Sequence, residues 1–427
     1  MKQAASLRPS KTWKAVTPPA GWTWSLPFTL QRRKSSFRVV FPLDLKTYAN
    51  ITVAKTYWVK QAADGGSDVA SGADEAHALA TFNAALSKAD VDCVMVKAGV
   101  YDPGWNNKQM TRSVQVIGYG GPVITRKCAA ALSWSPVGNH YEAAYATNIG
   151  SVIDAQNPDA CGDYIPLVNQ ASSANVDATP GSWYYGSSTI YVRTLDSRQP
   201  DANIFCHISA ANGRATNAVT LYLEGISFWG GSSPLLASLA VAGGKIYCKN
   251  CDFKYGSNTT ATDAFTISGF DEVIMQNCIS ARNGGDGFKM QVSGSLAANL
   301  ALINCTGRNN GMTNSTNANG YSRHGPGNTI VVGGSYFGNY GPNIKDINAG
   351  TLTWCLGVRN TTPACASANY NFAVGDASAT PLLWLDTCAS LGIVVKDLYA
   401  GPGAVIKYHN MTPSVPTFEG GGSVTSY

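Results

Sequence analysis

Charge is scarce in this chain: only 13% of its 427 residues are Asp, Glu, Lys or Arg. That leaves little of the i,i+4 ion pairing that stiffens long solvated helices, and long helical periodicities are few. Apolar runs are short, and none approaches the roughly 20 residues a membrane-spanning helix needs. Acids are nearly missing from the first 47 residues, where nine Lys/Arg face the single Asp44. Cysteines do not come in an even number. The eleven are Cys93, Cys128, Cys161, Cys206, Cys248, Cys251, Cys278, Cys305, Cys355, Cys365 and Cys388. An odd count, with at least three at inward strand positions, reads as buried free thiols rather than a disulfide framework. Cys248 and Cys251 form a CxxC with no second pair, and on one strand residues i and i+3 face opposite sides, which argues against zinc. MKQAASLRPSK has no apolar segment of the kind a signal peptide carries, so the reading is a chain made in a reducing cytosol. No glycine-rich dinucleotide or phosphate loop, HExxH or EF-hand loop occurs.

What is abundant is glycine, 44 residues, and a repeat. KIYCKNCDF, EVIMQNCIS and NLALINCTG each end an apolar run in Asn-Cys, at Asn250-Cys251, Asn277-Cys278 and Asn304-Cys305, 27 residues apart both times. A fourth copy, TIVVGGSYF, carries Gly334-Ser335 after an interval of 30. Turn residues follow, then a second strand-like piece: TDAFTI, GDGFKM, NGYSRH and PNIKDI. Strand, turn, strand with a period in the twenties predicts stacked coils. One coil cannot bury its own apolar face, but coils stacked about 4.8 Å apart bury a continuous core. The fold expected is therefore all-β, a right-handed parallel β-helix (solenoid). Aligned second strands place Phe265, Phe288, Tyr321 and Ile344 in one inward column, and Cys251, Cys278 and Cys305 form another. Alternation turns Thr266, Lys289, Ser322 and Lys345 outward.

In chain order, residues 1–50 read as a small N-terminal attachment region, with the strand FRVVF at its end and four aromatics among basic residues. Residues 51–125 run strand, Gly/Asp loop, helix (74–88), strand. Such a helix suits the N-terminal cap that a coil stack requires over its open end. Residues 126–410 are the β-helix, and 411–427 a Gly/Ser-rich tail.

The segment with Tyr57, Gly66-Ser67-Asp68, Phe82, Val96, Gly99 and Tyr101 resembles the opening motif of the pectate-lyase-like β-helix superfamily. GSWYYGSSTIYVRTLDSRQPDANIFCHI, from Gly181 to Ile208, resembles an insert found in polysaccharide-active β-helix proteins. LYLEGISFWGG, from Leu221 to Gly231, resembles the superfamily's first regular coil. The resemblance spans roughly residues 55–360 and specifies fold better than chemistry, because members include lyases, hydrolases, epimerases and phage tailspikes. Within that superfamily, the lack of a signal-peptide-like segment, the buried thiols and the separate N-terminal region favour a tailspike-like protein, located in the virion tail, whose N-terminal region meets tail or baseplate proteins and whose β-helix engages bacterial surface polysaccharide. A homotrimer is the corresponding expectation, although no trimerisation module is evident.

Stacked coils line residues distant in sequence along one groove. The richest cluster is Asp263, Asp286, Lys289, Arg323, His324, Lys345 and Asp346, flanked by Arg282 and Arg308. Carboxyls one rung apart stand about 5 Å apart, near the separation used by retaining glycosidases, and two rungs give roughly 9–10 Å. Asp263 and Asp286 are the candidate pair, with Asp346 a third carboxylate. Lys289, Arg323 and His324 are the types that β-elimination from a uronate needs, a base and a cation for the enolate. Trp229, Tyr255, Tyr336 and Tyr340 are candidates to stack on sugar rings, whereas Trp183 and Tyr185 read as hairpin packing. The insertion GMTNSTNANGYSRHG beside His324 fits a binding face. The bland reading of each Asp is a turn carboxylate bonding backbone N–H groups. Hydrolytic depolymerisation is the leading expectation, with no cofactor. A uronate lyase, with calcium assisting as in some relatives, is the alternative, and a non-enzymatic receptor-binding spike is the third. A nucleic-acid role from the basic N-terminus ranks below all of these.

Overall fold

The structure is a computed structural model that describes residues 12–102, 104–105, 108–130, 132–239, 242–257, 263–291, 296–311, 318–347, 350–361, 370–375, 380–392 and 396–427. Each regular coil contributes three strands, and equivalent strands pair in parallel from coil to coil. One such coil is Gly244–Lys249, Asp252–Lys254 and Phe265–Ser268. The next is Phe270–Gln276, Ile279–Ala281 and Phe288–Met290. A first sheet runs from Thr56–Val59 to Ser423–Ser426. A third, of ten strands, runs from Lys108–Gln109 to Phe418–Glu419. The chain is a parallel β-helix.

The Asn-Cys marker is explained by its backbone. Asn250, Asn277 and Asn304 have φ of 54°, 55° and 52°, the left-handed conformation that turns the chain from the first sheet into the second. Asn tolerates that conformation because its short polar side chain bonds locally. The next residue then points inward, so Cys251, Cys278 and Cys305 stack in the core fully buried. Register corrects the fourth copy. Ile303 faces Val332 and Thr306 faces Ser335, so Gly333-Gly334, not Gly334-Ser335, stands where Asn304-Cys305 does. The corner also corrects the CxxC: with Asn250 bending the chain between them, Cys248 and Cys251 both face the core. Ten cysteines are described, all free and only Cys161 exposed; Cys365 lies outside the described residues.

The inward columns are as the alternation predicts. Phe265, Phe288, Tyr321 and Ile344 pair in register and are fully buried. A second internal column is polar. Asn283 Nδ2 donates to Asn310 Oδ1 at 2.8 Å, Asn310 Nδ2 to Asn339 Oδ1 at 3.0 Å, Asn339 Nδ2 to Asn343 Oδ1 at 2.7 Å and Asn343 Nδ2 to Asn371 Oδ1 at 2.7 Å. Each amide satisfies its neighbour, so the ladder carries polar groups through a dry core. Asn310→Ala removes the oxygen that accepts both the Asn283 N–H and Asn283 Nδ2, and removes one of the two donors to Asn339 Oδ1. It is expected to cost about 2–4 kcal/mol in denaturant unfolding.

Two expected elements differ. The helix predicted over 74–88 is confined to Phe82–Leu86. Leu79 instead bridges to Val59, its N–H donating to the Trp58 carbonyl and its own carbonyl accepting from Lys60. Asp68 fixes the helix start by accepting from Ala80 and Thr81 N–H, both at 2.9 Å. The apolar stripe is therefore shared between a bridge and one helical turn. The expected tail is a final rung: Ser423–Ser426 pairs with Val405–His409, and Tyr427 packs on Trp384 at 4.6 Å. Gly420 is needed at that corner, because a Cβ there would stand 1.9 Å from the Ala400 carbonyl oxygen.

The N-terminal region lies along the outer face of the first sheet. Trp24, Phe28, Leu30 and Leu45 share one apolar cluster with Tyr222, Tyr247, Ile274, Ile330 and Trp354. Arg32 pairs with Asp386 at 3.2 Å, and Asn328 Nδ2 donates to Thr23 Oγ1 at 2.7 Å. Its aromatics thus cover the chain's own sheet.

Candidate functional site

Parallel register carries Thr266, Lys289, Ser322 and Lys345 up the outward face of the third sheet. Asp263 and Asp286 each lie three residues before members of that column, at equivalent places on adjacent rungs. Lys289 reaches back over both: its Nζ lies 3.1 Å from Asp263 Oδ2 and 3.6 Å from Asp286 Oδ2. Ser322 Oγ donates to Asp286 Oδ2 at 2.6 Å, and His324 Nε2 stands 3.7 Å from the same oxygen. That last separation is too long for a hydrogen bond. His324 Nε2 has no hydrogen-bond partner among the described residues. The second oxygens serve the backbone: Asp263 Oδ1 accepts Asp286 N–H at 2.9 Å, and Asp286 Oδ1 accepts Asn319 N–H at 2.7 Å. The turn-bonding role and a chemical role therefore coexist in the same side chains, one oxygen each.

The two carboxyls are pushed apart in acidity. Burial raises Asp263 to about 6, helped by the neighbouring Asp286 charge and opposed by Lys289. For Asp286 burial acts the same way but is outweighed by His324, Lys289 and the Ser322 hydroxyl, which hold it down at about 2. Around pH 4 to 5 one carboxyl is protonated and the other ionised, the arrangement acid-base catalysis uses. Burial works against the charge of Lys289, yet the two carboxylates keep its affinity for the proton above that of a free lysine, so the ammonium is retained.

Several expected site residues are elsewhere. Arg323 is fully buried and inward: Nε donates to the Gly325 carbonyl at 2.8 Å, Nη1 to Thr329 Oγ1 at 2.5 Å, and Nη2 to the carbonyls of Ala298, at 2.7 Å, and Pro326. Asp346 is its inward neighbour on the next rung, bonded by Thr351 Oγ1 at 2.7 Å and Thr353 Oγ1 at 2.6 Å. Both follow outward residues by one position and so face the core. Arg282 and Arg308 are spent on the insert, which in the structure spans residues 127–208 between the coil strands Val114–Arg126 and Gly213–Ala215: Arg282 binds Asp159 Oδ2 at 2.5 Å, and Arg308 Nε binds Asp163 Oδ2 at 2.7 Å, where Lys254 joins from 2.9 Å. Tyr336 is fully buried. Tyr255 is a buried corner residue, φ 63°, whose hydroxyl accepts from Tyr164 N–H and whose ring meets Trp229 edge-on at 5.2 Å. Trp229 also packs on Tyr164 at 5.8 Å, so both rings seat the insert. Trp183 and Tyr185 are packing residues, Trp183 being fully buried and the Tyr185 hydroxyl capping the carbonyls of Tyr145 and Ala146. Tyr340 is half-buried on a turn, its N–H bonded to the Asn310 carbonyl. Lys345 remains outward, one rung beyond Ser322. Of the predicted loop 311–325, residues 312–317 lie outside the described residues.

The sequence reading missed Tyr370 and Tyr399, whose rings pack at 5.0 Å on the later rungs of this same sheet. Tyr399 aligns with Lys345 through Ala373, and Tyr370 lies three residues before that column, a placement legible only once the uneven spacing after residue 346 was resolved. The arrangement does not fit calcium. An ammonium already stands between the two acids, and among the described residues no group of three or more His, Cys, Asp or Glu could hold a metal ion.

No family model matches the sequence, and no curated protein does. Among solved structures the chain is similar to a glycoside hydrolase at 9% identity, covering 87% of this chain and 96% of that one with a TM-score of 0.49. It is also similar to pectate lyase Pel9A at 14% identity, with 83% and 81% covered and a TM-score of 0.38. A third is XylC in complex with xylose, at 10% identity, 82% and 68% covered and a TM-score of 0.32.

Proposed function

We propose that this protein depolymerises a polysaccharide by glycosidic hydrolysis, with Asp263 as general acid and Asp286 as the ionised carboxylate opposite it. The observation that carries this reading is the pair itself: two buried carboxyls on adjacent rungs, spanned by Lys289, with acidities of about 6 and about 2. A rung separation of about 5 Å is that of retaining enzymes, in which the second carboxylate attacks the anomeric carbon. Asp263 would deliver its proton to the leaving oxygen and take one from water in the second step. Lys289 and Ser322 hold Asp286 ionised and oriented. A bacterial surface polysaccharide as substrate, a tailspike role in a virion and a trimeric assembly belong to the same proposal and rest on the sequence reading alone.

Elimination is the second reading, favoured by one observation: the unpartnered His324 Nε2 beside Asp286, with a charged Lys289 at hand for an enolate. The two separate on incubation with capsular and O-antigen polysaccharides. Hydrolysis gives reducing ends without new ultraviolet absorbance, whereas elimination gives both, because it leaves an unsaturated uronate. Retained binding with neither signal would leave the non-enzymatic spike.

The acidities also set a pH profile. Hydrolysis needs Asp286 ionised and Asp263 protonated, so the rate rises through about pH 2 and falls through about pH 6. An elimination base works deprotonated, so elimination has no need of a protonated Asp263 and its rate would not fall as Asp263 ionises. Initial rates across pH 3 to 8, as a rough range, decide the matter.

A further inference from the structure

The insert carries a cavity that the acid pair does not use. Where it leans on the solenoid, a cleft of about 440 Å³ is walled by Asp102 and Arg126 from the coils and by Leu132, Trp134, Asp201 and Phe205 from the insert. Arg126 Nε donates to Asp102 Oδ2 at 3.2 Å, and its guanidinium lies 4.2 Å from the Phe205 ring centre. The terminal nitrogens of Arg126 and the Trp134 indole nitrogen have no hydrogen-bond partner among the described residues. Asp102 Oδ1 also accepts Cys128 N–H at 3.2 Å, while Asp201 Oδ1 is held by Asn203 N–H at 2.8 Å. The lining thus combines apolar ring faces, free planar donors and two fixed acceptors.

We propose that this cleft is a second, non-catalytic saccharide site that takes a neutral sugar unit or disaccharide. A pyranose is flat and apolar on its C–H faces and ringed by hydroxyls, which matches aromatic walls with donors and acceptors at their edges. Two carboxylates against one guanidinium disfavour an anion, so a phosphate or uronate is not the ligand. A purely apolar ligand would leave the Arg126 donors and the acids desolvated without partners. The volume lies within the usual range of small-ligand pockets and suits one or two sugar units. The site stands whether or not the acid pair cleaves anything.

The test is saturation-transfer difference NMR with maltose, cellobiose, lactose and N,N′-diacetylchitobiose, on the Asp263→Asn/Asp286→Asn double variant so that turnover does not intrude. At least one disaccharide is expected to receive saturation. Trp134→Ala and Arg126→Lys, each added to that background, are expected to weaken its binding about tenfold or more. No transfer to any of the four, or transfer that a folded Trp134→Ala or Arg126→Lys protein leaves unchanged, overturns the proposal. Circular dichroism reports folding, and should Trp134→Ala fail to fold, the conservative Arg126→Lys protein carries the test alone.

Discussion

Asp286→Asn is expected to abolish polysaccharide cleavage, lowering kcat by about 10³-fold or more while the protein stays folded and bound to its substrate. Asparagine is isosteric and its Oδ1 still accepts the Asn319 N–H, so the turn survives. What is lost is the negative charge. Asp263→Asn is expected to match it, because an amide cannot deliver the proton. The two losses should not multiply in the double variant, since both residues serve one event. Reducing-end assays with a parallel binding measurement check this, and near-normal rates in either variant would remove the hydrolytic assignment. Asp263→Asn also has a readout that needs no substrate. The folded state raises Asp263 to about 6, so its protonated form is favoured by folding. The stability that this brings is present below the unfolded value near 4 and is lost as pH rises through about 6. Wild type is therefore expected to lose about 2–3 kcal/mol relative to Asp263→Asn between about pH 4 and pH 7 in denaturant titrations. A difference independent of pH would contradict the raised acidity.

Arg323→Ala is expected to produce the largest loss of stability, about 3–5 kcal/mol, with no direct effect on the chemistry. The guanidinium is fully buried and answers the carbonyls of Ala298, Gly325 and Pro326 and the Thr329 hydroxyl. Removing it takes the donors from the buried Ala298 and Gly325 carbonyls, leaves Pro326 and Thr329 with only the Ala298 N–H and the Tyr321 hydroxyl, and leaves a cavity beside Asp346. Arg323→Met fills the volume without restoring the bonds and is expected to recover only part of the loss. Were Arg323 a site residue, as its neighbour His324 suggests in sequence, the pattern would reverse: activity would fall and the thermal midpoint would hold. Measuring both in each variant distinguishes the two.

The misassignment of Arg323 has a simple origin. The alternation that turns Lys289, Ser322 and Lys345 outward turns the following Met290, Arg323 and Asp346 inward. Charge drew Arg323 and Asp346 into the predicted groove against the parity of their own strands. Arg282 and Arg308 failed differently. Their acid partners lie 123 and 145 residues earlier in the chain, in the insert, and no local pattern encodes such a contact. The aromatic candidates Tyr255 and Trp229 were drawn away by the same docking, and Tyr336 by the core.

The sequence by itself determined the coil, the inward columns and the face that holds Asp263, Asp286 and Lys289. Those follow from a 27-residue repeat, a two-residue alternation and the need to bury apolar faces, all local or periodic quantities. Tertiary structure alone decided which charges remain for chemistry. Burial and pairing partners set whether a carboxyl is an acid, a base or a turn bond, and those partners come from other rungs, from the insert and from the arm laid across the first sheet. Asp263 and Asp286 are the same residue type at the same turn position, and only the groups around them send one acidity up and the other down.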